Sequence, residues 1–197
     1  FNELFAQVTN PPIDALRESM VTSNVLYLGN HGNLLEDSRD NCRTIRLEGP
    51  ILSRDDFERI RSIDRVGFHA QTFHATYPKD ADPHALDRAL DELNTQVSDA
   101  VAQGTNIVIL SDRATAKEVP IPSLLALGSV HNHLVRLGMR MRADIVVETG
   151  DAMSPHDFAA LVGYSATGIY PYLAHECIDD LVAQGAIDLP ALDAHAN

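Results

Sequence analysis

The amino-acid sequence predicts an α/β domain with mostly parallel strands, an incomplete or flattened TIM-barrel-like (β/α) domain. Three observations support this fold class. Residues 106–110 contain an unbroken apolar run, which is typical of a strand buried on both faces of a parallel sheet. Strand-like segments alternate with helix-periodic segments across short connections, as they do in β/α folds. About five strands are expected, fewer than the eight of a complete barrel.

The first third of the chain predicts short elements. Asp14 can cap a helix that starts in residues 13–18, and Ser53 can cap a second helix over residues 54–63. The extended pieces predicted in this part of the chain are Thr44–Leu47, residues 50–52 and a strand over residues 66–76.

The pattern is more regular from residue 82 onward. Apolar residues at helical spacing predict a helix over residues 82–103, which Gly104 ends. After the strand at 106–110, the predicted elements are a helix over 121–137, a strand over 143–148, a helix over Pro155–Gly163 capped by Ser154, a strand over Gly168–Tyr170 and a helix over 174–183. Because no long linker or low-complexity run divides the chain, we expect residues 1–197 to form one domain.

Charge and hydropathy exclude two classes of partner. The formal net charge is −13, whereas nucleic acids and anionic membranes require a concentrated positive surface. No run approaches the ~18 apolar residues of a membrane span, and no signal peptide is recognisable. We therefore expect neither a nucleic-acid nor a membrane partner.

The cysteine content bears on cofactors and location. Cys42 and Cys177 are far apart in sequence, and an iron–sulfur cluster needs about four thiolates, so this segment cannot hold one by itself. Two free thiols in an acidic chain predict a cytoplasmic location. The chain opens on Phe1 rather than Met, which suggests a segment of a longer polypeptide, although removal of upstream residues would give the same start.

Residues 7–14 contain two adjacent prolines and restrict the backbone most strongly. Pro11 and Pro12 fix φ and remove two amide donors, and Asn10 is pushed toward extended backbone by the proline that follows it. The result is a stiff elbow in which the carbonyl groups of Val8, Thr9 and Asn10 need water or another partner. A surface loop and the wall of a passage are both compatible with these residues.

Polar residues follow two of the predicted parallel strands. Asp112 and Arg113 come after the strand at 106–110, and Glu148 ends the strand at 143–148. Since the chemistry of β/α folds gathers where strands end, Asp112 and Glu148 could act as an acid/base pair. Alternatively, Asp112 and Arg113 satisfy loop amides and each other, while Glu148 caps a turn.

Two other polar groups invite a ligand interpretation. His131 and His133 are two residues apart, so on a helix their rings point to opposite faces rather than toward one metal. One is expected to pack beside Leu127 and Leu134, and the other to reach solvent or a hydrogen-bond partner. Residues 29–33 could form a small anion-binding nest, or simply a tight turn.

Taken together, these segments resemble the central domain of the large subunit of glutamate synthase, from about residue 5 to about residue 176. The matching motifs are residues 7–14, 27–29, 32–35, 50–52, 110–113, 120–126, 147–150 and 171–173. The departures are local: Asn30-His31 stands where the family often has Pro-Glu, His131-Asn132-His133 where it has three histidines, and Tyr170 where it usually has Asn.

The resemblance implies a connecting domain within a longer enzyme. In that family an amidotransferase domain hydrolyses glutamine, and ammonia passes internally to an FMN-binding domain, where 2-oxoglutarate becomes glutamate. Electrons arrive through an iron–sulfur cluster from NADPH or ferredoxin, in some members by way of a small electron-transfer subunit. The resemblance implies that the FMN and cluster sites lie outside this segment, and that Thr9 and Asn10 lie at the mouth of the ammonia channel.

Two alternatives remain open on sequence alone. The chain could be a stand-alone β/α enzyme that uses Asp112 and Glu148, in which case both carboxylates should line one pocket. It could also be a free-standing assembly module that kept the fold without its neighbouring domains.

Overall fold

The computed structural model of the chain describes residues 13–33, 35–80 and 82–187. Its α-helices are α1 Ala15–Val21, α2 Arg54–Arg61, α3 Ala85–Ala102, α4 Ser123–Arg136, α5 Pro155–Gly163 and α6 Tyr172–Ala183. Its strands are β1 Leu26–Gly29, β2 Thr44–Leu47, β3 Ala70–His74, β4 Thr76–Pro78, β5 Ile107–Ser111, β6 Glu118–Pro120, β7 Asp144–Glu148 and β8 Gly168–Tyr170. Among these helices, none has the length and apolar character needed to cross a bilayer.

The predicted helix starts are confirmed by their caps. The Asp14 carboxylate accepts hydrogen bonds from the first-turn amides of α1, and the Ser53 hydroxyl accepts one from α2 at 3.1 Å. Ser154 and Asp157 form a reciprocal capping box at the start of α5. These contacts satisfy amides that have no partner within the helix itself, which is why short polar residues at these positions predict where a helix begins.

Four parallel strands form the central sheet of the described residues, in the order β3-β5-β7-β8. Apart from β4 and β6, which pair with each other in a separate ladder, successive strands of the chain from β3 onward neighbour each other in this sheet, as in a β/α barrel. The connecting helices α3, α4 and α5 all pack on the same face, because right-handed crossovers in one direction place them there. The predicted fold class is confirmed: the described strands form an open sheet rather than a closed barrel.

A short extended segment lies beside β8, on the edge of the sheet opposite β3. Ile51 bridges Ile169 in parallel, and the amide of Ile169 donates to the carbonyl of Pro50 at 2.7 Å. From there α2 runs across the sheet face that would be the interior of a complete barrel. Its Phe57 is fully buried and stacks on Tyr170 with 4.4 Å between ring centroids. Residues of α2 thus cover the sheet face that a closed barrel would keep for its own inward-facing side chains.

Alternate residues of the central strands enter two different cores. Ile107 and Ile109 of β5 pack with α2 and the β1–β2 pair, whereas Val108 and Leu110 pack against α3, α4 and α5. All four residues are at most 2% exposed. A strand covered on both faces needs apolar residues at every position, which explains the uninterrupted apolar run in the sequence.

The predicted strand over residues 66–76 is wrong in its extent. Val66 is 94% exposed, and β3 begins only at Ala70. Beyond His74 the chain leaves the parallel sheet at Ala75, and β4 pairs with β6 as a separate antiparallel ladder. The sequence of residues 66–76 is compatible with one strand, but the fold places two different strands beside it. Its first part pairs with β5 and its second part with β6, so two separate strands form.

Candidate functional site at the carboxyl edge of the sheet

The carboxyl ends of β5, β7 and β8 meet at one edge of the sheet. Ser111 lies opposite Glu148, and Glu148 lies opposite Tyr170. The polar residues that directly follow these strands therefore come together, as the sequence predicts for parallel strands. In β/α architectures this is the edge where ligands and chemistry concentrate.

Asp112 organises the turn that follows β7. Its side chain is almost fully buried, and its Oδ2 accepts hydrogen bonds from the Thr149 hydroxyl and the Gly150 amide, both at 2.7 Å. The Asp112 amide donates to the Glu148 carbonyl at 3.2 Å. A carboxylate that binds a loop amide and a hydroxyl is holding the turn, as the second interpretation of this residue expects.

Glu148 and Arg113 form an ion pair at the same edge. The Glu148 side chain is 3% exposed, and its Oε1 accepts a hydrogen bond from Arg113 Nε at 2.6 Å. Arg113 Cζ lies 3.8 Å from the centroid of the Tyr172 ring, so the guanidinium stacks on that ring. The expected pairing of Asp112 with Arg113, and the expected turn cap by Glu148, are both wrong. The guanidinium turns instead toward the buried carboxylate of the neighbouring strand.

The local environment shifts the pKa of two groups at this edge. Burial opposes the charge of Arg113, but the hydrogen bond and charge of Glu148 outweigh it and raise the pKa of the guanidinium. Burial raises the pKa of Tyr172 to about 12, and the nearby Asp112 carboxylate acts in the same direction. Tyr172 is therefore protonated at neutral pH, and its hydroxyl can donate a hydrogen bond.

Gly150 lets the Tyr172 ring reach this position. A Cβ built on Gly150 would lie 2.9 Å from the Tyr172 hydroxyl oxygen and 3.1 Å from the ring carbon that carries it. Contacts this short exclude any larger residue unless Tyr172 moves. The glycine therefore supports the stacked guanidinium indirectly.

The geometry counts against an acid/base pair made of Asp112 and Glu148. Each carboxylate is buried and is engaged by hydrogen bonds or an ion pair within the chain. Neither of them lines the surface cavity between α4 and α5 or the groove described below. A general base must present an oxygen to the substrate proton. Glu148 Oε1 is bound to Arg113 and Asp112 Oδ2 to Thr149 and Gly150, whereas Asp112 Oδ1 is buried and has no hydrogen-bond partner among the described residues.

A family model described as the glutamate synthase central domain matches residues 1–197. The chain belongs to the glutamate synthase central domain family. It is 42% identical over 190 residues to the glutamate synthase (NADPH) large chain of Bacillus subtilis, and the aligned region covers 96% of this chain and 12% of that protein. It is 38% identical over 190 residues to the glutamate synthase (NADH) of Schizosaccharomyces pombe, and the aligned region covers 95% of this chain and 9% of that protein.

A third relative is named for another electron donor. The ferredoxin-dependent glutamate synthase 2 of Synechocystis is 41% identical over 184 residues, which cover 90% of this chain and 12% of that protein. This glutamate synthase central domain thus spans about a tenth of the length of these curated relatives. Relatives named for NADPH, NADH and ferredoxin match it almost equally, so similarity in this domain does not separate the three donors.

The amino edge of the same sheet carries a second polar network, which the sequence did not indicate. The Asp144 side chain is 5% exposed; its Oδ2 accepts hydrogen bonds from the Gly29 amide and from His31 Nε2, both at 2.8 Å. Its Oδ1 accepts one from the Thr167 hydroxyl at 3.0 Å and lies 3.5 Å from Arg140 Nη1. The only sequence signal is an aspartate at the start of an otherwise apolar strand.

This network also decides between the two interpretations of residues 29–33. The Gly29 amide is directed at the protein's own carboxylate, and the Gly32 amide donates to the side chain of Asn30 at 2.8 Å. Both amides are therefore satisfied within the chain, which favours a tied-down loop over a nest for an external anion.

The two histidines of α4 have different surroundings. His131 Nδ1 accepts a hydrogen bond from Arg140 Nε at 3.1 Å, so the expected hydrogen-bond partner of one histidine is confirmed. Burial lowers the pKa of His131, and the charge of Arg140 lowers it further. His133 Nε2 is buried and has no hydrogen-bond partner among the described residues. Within the same residues, no group of three or more potential ligands could hold a metal ion.

An open groove of about 610 Å³ runs along the outer face of α4. Its floor is apolar around Leu125 and Gly128, against which the Tyr164 ring packs. Arg136 supplies a charge to its lining, and the lining residues Asn94 and Ser129 hydrogen-bond to each other at 2.9 Å. The groove combines apolar and amide groups and brings no acid/base pair together.

The predicted channel residues, Thr9 and Asn10, lie outside the described residues, as do Pro11 and Pro12. The described part of their motif begins at Ile13, and Asp14 caps α1 directly after the elbow. Their role therefore stays a prediction.

Proposed function

We propose that this chain is the connecting domain of a glutamate synthase large subunit. It links the glutamine amidotransferase domain to the FMN-binding synthase domain of the same polypeptide and forms part of the ammonia channel between them. The whole enzyme makes glutamate from glutamine and 2-oxoglutarate, with FMN and an iron–sulfur cluster held outside these residues. The electrons come either from NADPH, by way of a small electron-transfer subunit, or from ferredoxin.

The observation that carries this proposal is the match of the central-domain family to residues 1–197, together with relatives that are roughly ten times longer. The site geometry supports it. The carboxylates at the position where a β/α enzyme would perform chemistry are engaged by Thr149, Gly150 and Arg113. This arrangement suits a connecting role better than a catalytic one.

The channel proposal assigns Thr9 and Asn10 to the channel mouth. Two adjacent prolines stiffen the backbone at this point, and a fixed backbone can present carbonyl groups to a small neutral molecule that donates hydrogen bonds. The same stiffness would keep the opening too small for glutamine. The proposal therefore depends on the rigidity of the elbow as well as on the two residues beside it.

The test replaces Pro11 and Pro12 with alanine in the full-length enzyme. In a coupled enzyme one 2-oxoglutarate is consumed for each glutamine hydrolysed, since each ammonia released is used. We expect the double variant to hydrolyse glutamine in excess of the 2-oxoglutarate it consumes, with the excess recovered as free ammonium. Pro83→Ala, an exposed proline before α3, is the matched control and should stay coupled. Unchanged coupling in the double variant would contradict the channel proposal and support the interpretation of the elbow as a surface loop.

A further inference from the structure

The guanidinium of Arg113 at the carboxyl edge is held in place on its Nε side, and its terminal nitrogens lie on the other side. Its Nε is bound to Glu148, and its guanidinium lies flat on the Tyr172 ring. The Arg113 side chain is nevertheless 45% exposed, and its two terminal nitrogens have no hydrogen-bond partner among the described residues. The outer edge of this guanidinium is therefore a pair of parallel donors with a fixed direction.

This arrangement fits binding better than it fits stability alone. Burying Glu148 is costly, and well-packed apolar residues often stabilise a fold as well as a buried ion pair does. What the pair does provide is orientation, because Glu148 and Tyr172 remove the rotamer freedom that an arginine normally has. A donor immobilised in advance loses little entropy when a partner arrives.

The surrounding charge indicates which kind of acceptor fits. Asp112 and Glu148 already outnumber the single guanidinium of Arg113 in this cluster. Tyr170 raises the pKa of Arg54, and the α6 carboxylates of Glu176 and Asp179 act in the same direction. The chain as a whole carries a net charge of −13. A free anion or a further carboxylate would be repelled here, whereas a neutral carbonyl oxygen would not.

We propose that the carboxyl edge is an interdomain interface, in which the outer edge of Arg113 donates to main-chain carbonyl oxygens of a protein segment outside residues 1–197 of the same polypeptide. Leu173, which is 41% exposed in the first turn of α6, adds an exposed apolar side chain next to Tyr172 in the sequence. Arginine and tyrosine anchors are typical of interface centres, where apolar side chains are enriched. The proposal rests on the proposed function only in that the chain is one domain of a longer protein.

The first test is a chemical footprint of the full-length protein with phenylglyoxal, which reacts with the two terminal guanidinium nitrogens. Peptide mass spectrometry gives the modification rate of Arg113 relative to Arg61 on α2, whose side chain is 46% exposed and is likewise paired with a carboxylate, that of Glu58. We expect Arg113 to react roughly tenfold more slowly, as for a contact occupied about 90% of the time. Equal rates for the two arginines would overturn the proposal.

Two further footprinting conditions, added salt and added anions, distinguish a carbonyl acceptor from a carboxylate or a bound anion. Protection by carbonyl groups should persist in about 0.5 M sodium chloride, where the screening length is roughly 4 Å, and should not require added 2-oxoglutarate or phosphate. Protection that disappears in salt indicates a carboxylate partner, and protection that appears only with an added anion indicates a ligand site. Either result would contradict the proposed acceptor.

The second test identifies the partner as protein. A photo-crosslinking benzoylphenylalanine at position 173, replacing Leu173 in the full-length protein, should crosslink to a peptide outside residues 1–197. Crosslinks confined to residues 1–197 would overturn the interface. Both measurements are independent of enzymatic coupling, so this proposal and the channel proposal for Pro11 and Pro12 can fail separately.

Discussion

Replacing Asp144 with asparagine tests the polar network at the amino edge of the sheet. The carboxylate serves donors on both oxygens: the Gly29 amide and His31 on Oδ2, and Thr167 and Arg140 on Oδ1. Asparagine has one acceptor oxygen and one NH2 group. The donors on one side of the network would therefore face the NH2 group instead of an acceptor oxygen.

The expected loss follows from what remains unsatisfied. Breaking a buried ion pair typically costs about 3–5 kcal/mol. The lower end applies here, because Arg140 keeps hydrogen bonds to the carbonyls of Ala143 and Ser165 and to His131. We therefore expect Asp144→Asn to lower the free energy of unfolding by about 3 kcal/mol, which is a factor of about 150 in the folding equilibrium.

Urea unfolding followed by circular dichroism measures this change. With a denaturant slope of about 2–3 kcal/mol/M, the midpoint should fall by roughly 1–1.5 M. Asp87→Asn is the matched control, because its side chain is 79% exposed and its loss should cost less than about 0.5 kcal/mol. If Asp144→Asn unfolds within about 1 kcal/mol of the parent chain, the network does not contribute the stability argued here.

Two further predictions concern a titrating group and a close contact. The pKa of His131 is lowered from its ordinary value of 6.5 by burial and by Arg140, so the unfolded chain binds the proton more readily. The contribution of His131 to the free energy of unfolding should be fully present above about pH 6.5 and should be lost as the pH drops toward the lowered pKa. His131→Asn keeps an acceptor for Arg140 and should reduce this dependence of the free energy of unfolding on pH. Gly150→Ala should displace Tyr172 and destabilise the chain by about 1–3 kcal/mol in urea unfolding.

Each of these two variants has a matched control. For the His131 variant, the control is the same His→Asn substitution at the exposed position His69. A Cβ on Gly163 meets no atom within 4 Å, so Gly163→Ala should be tolerated. A pH slope that survives in the His131 variant would show that another group titrates, and equal stability of the two glycine variants would show that Tyr172 adapts without cost.

Local signals in the sequence were sufficient to predict many of the individual elements. Ser53 and Ser154 cap helices because their side chains reach amides only three residues away, and residues 106–110 read as a buried strand because every neighbouring position is covered. The order of such segments predicts the β/α architecture, since the handedness of crossovers leaves few alternatives. The predicted meeting of Asp112 and Glu148 at one edge of the sheet follows from the same parallel order.

Side-chain partners were decided only by the tertiary structure. Arg113 turns to Glu148 rather than to its neighbour Asp112, and Asp144 collects donors from Gly29 and Thr167, because these groups meet only after distant segments pack. The division of residues 66–76 into two separate ladders has the same cause. The sequence by itself determined the family, the order of elements and the caps, which depend on local backbone chemistry. The tertiary structure decided which charges pair and which donors stay open, because burial and direction arise only when the elements pack together.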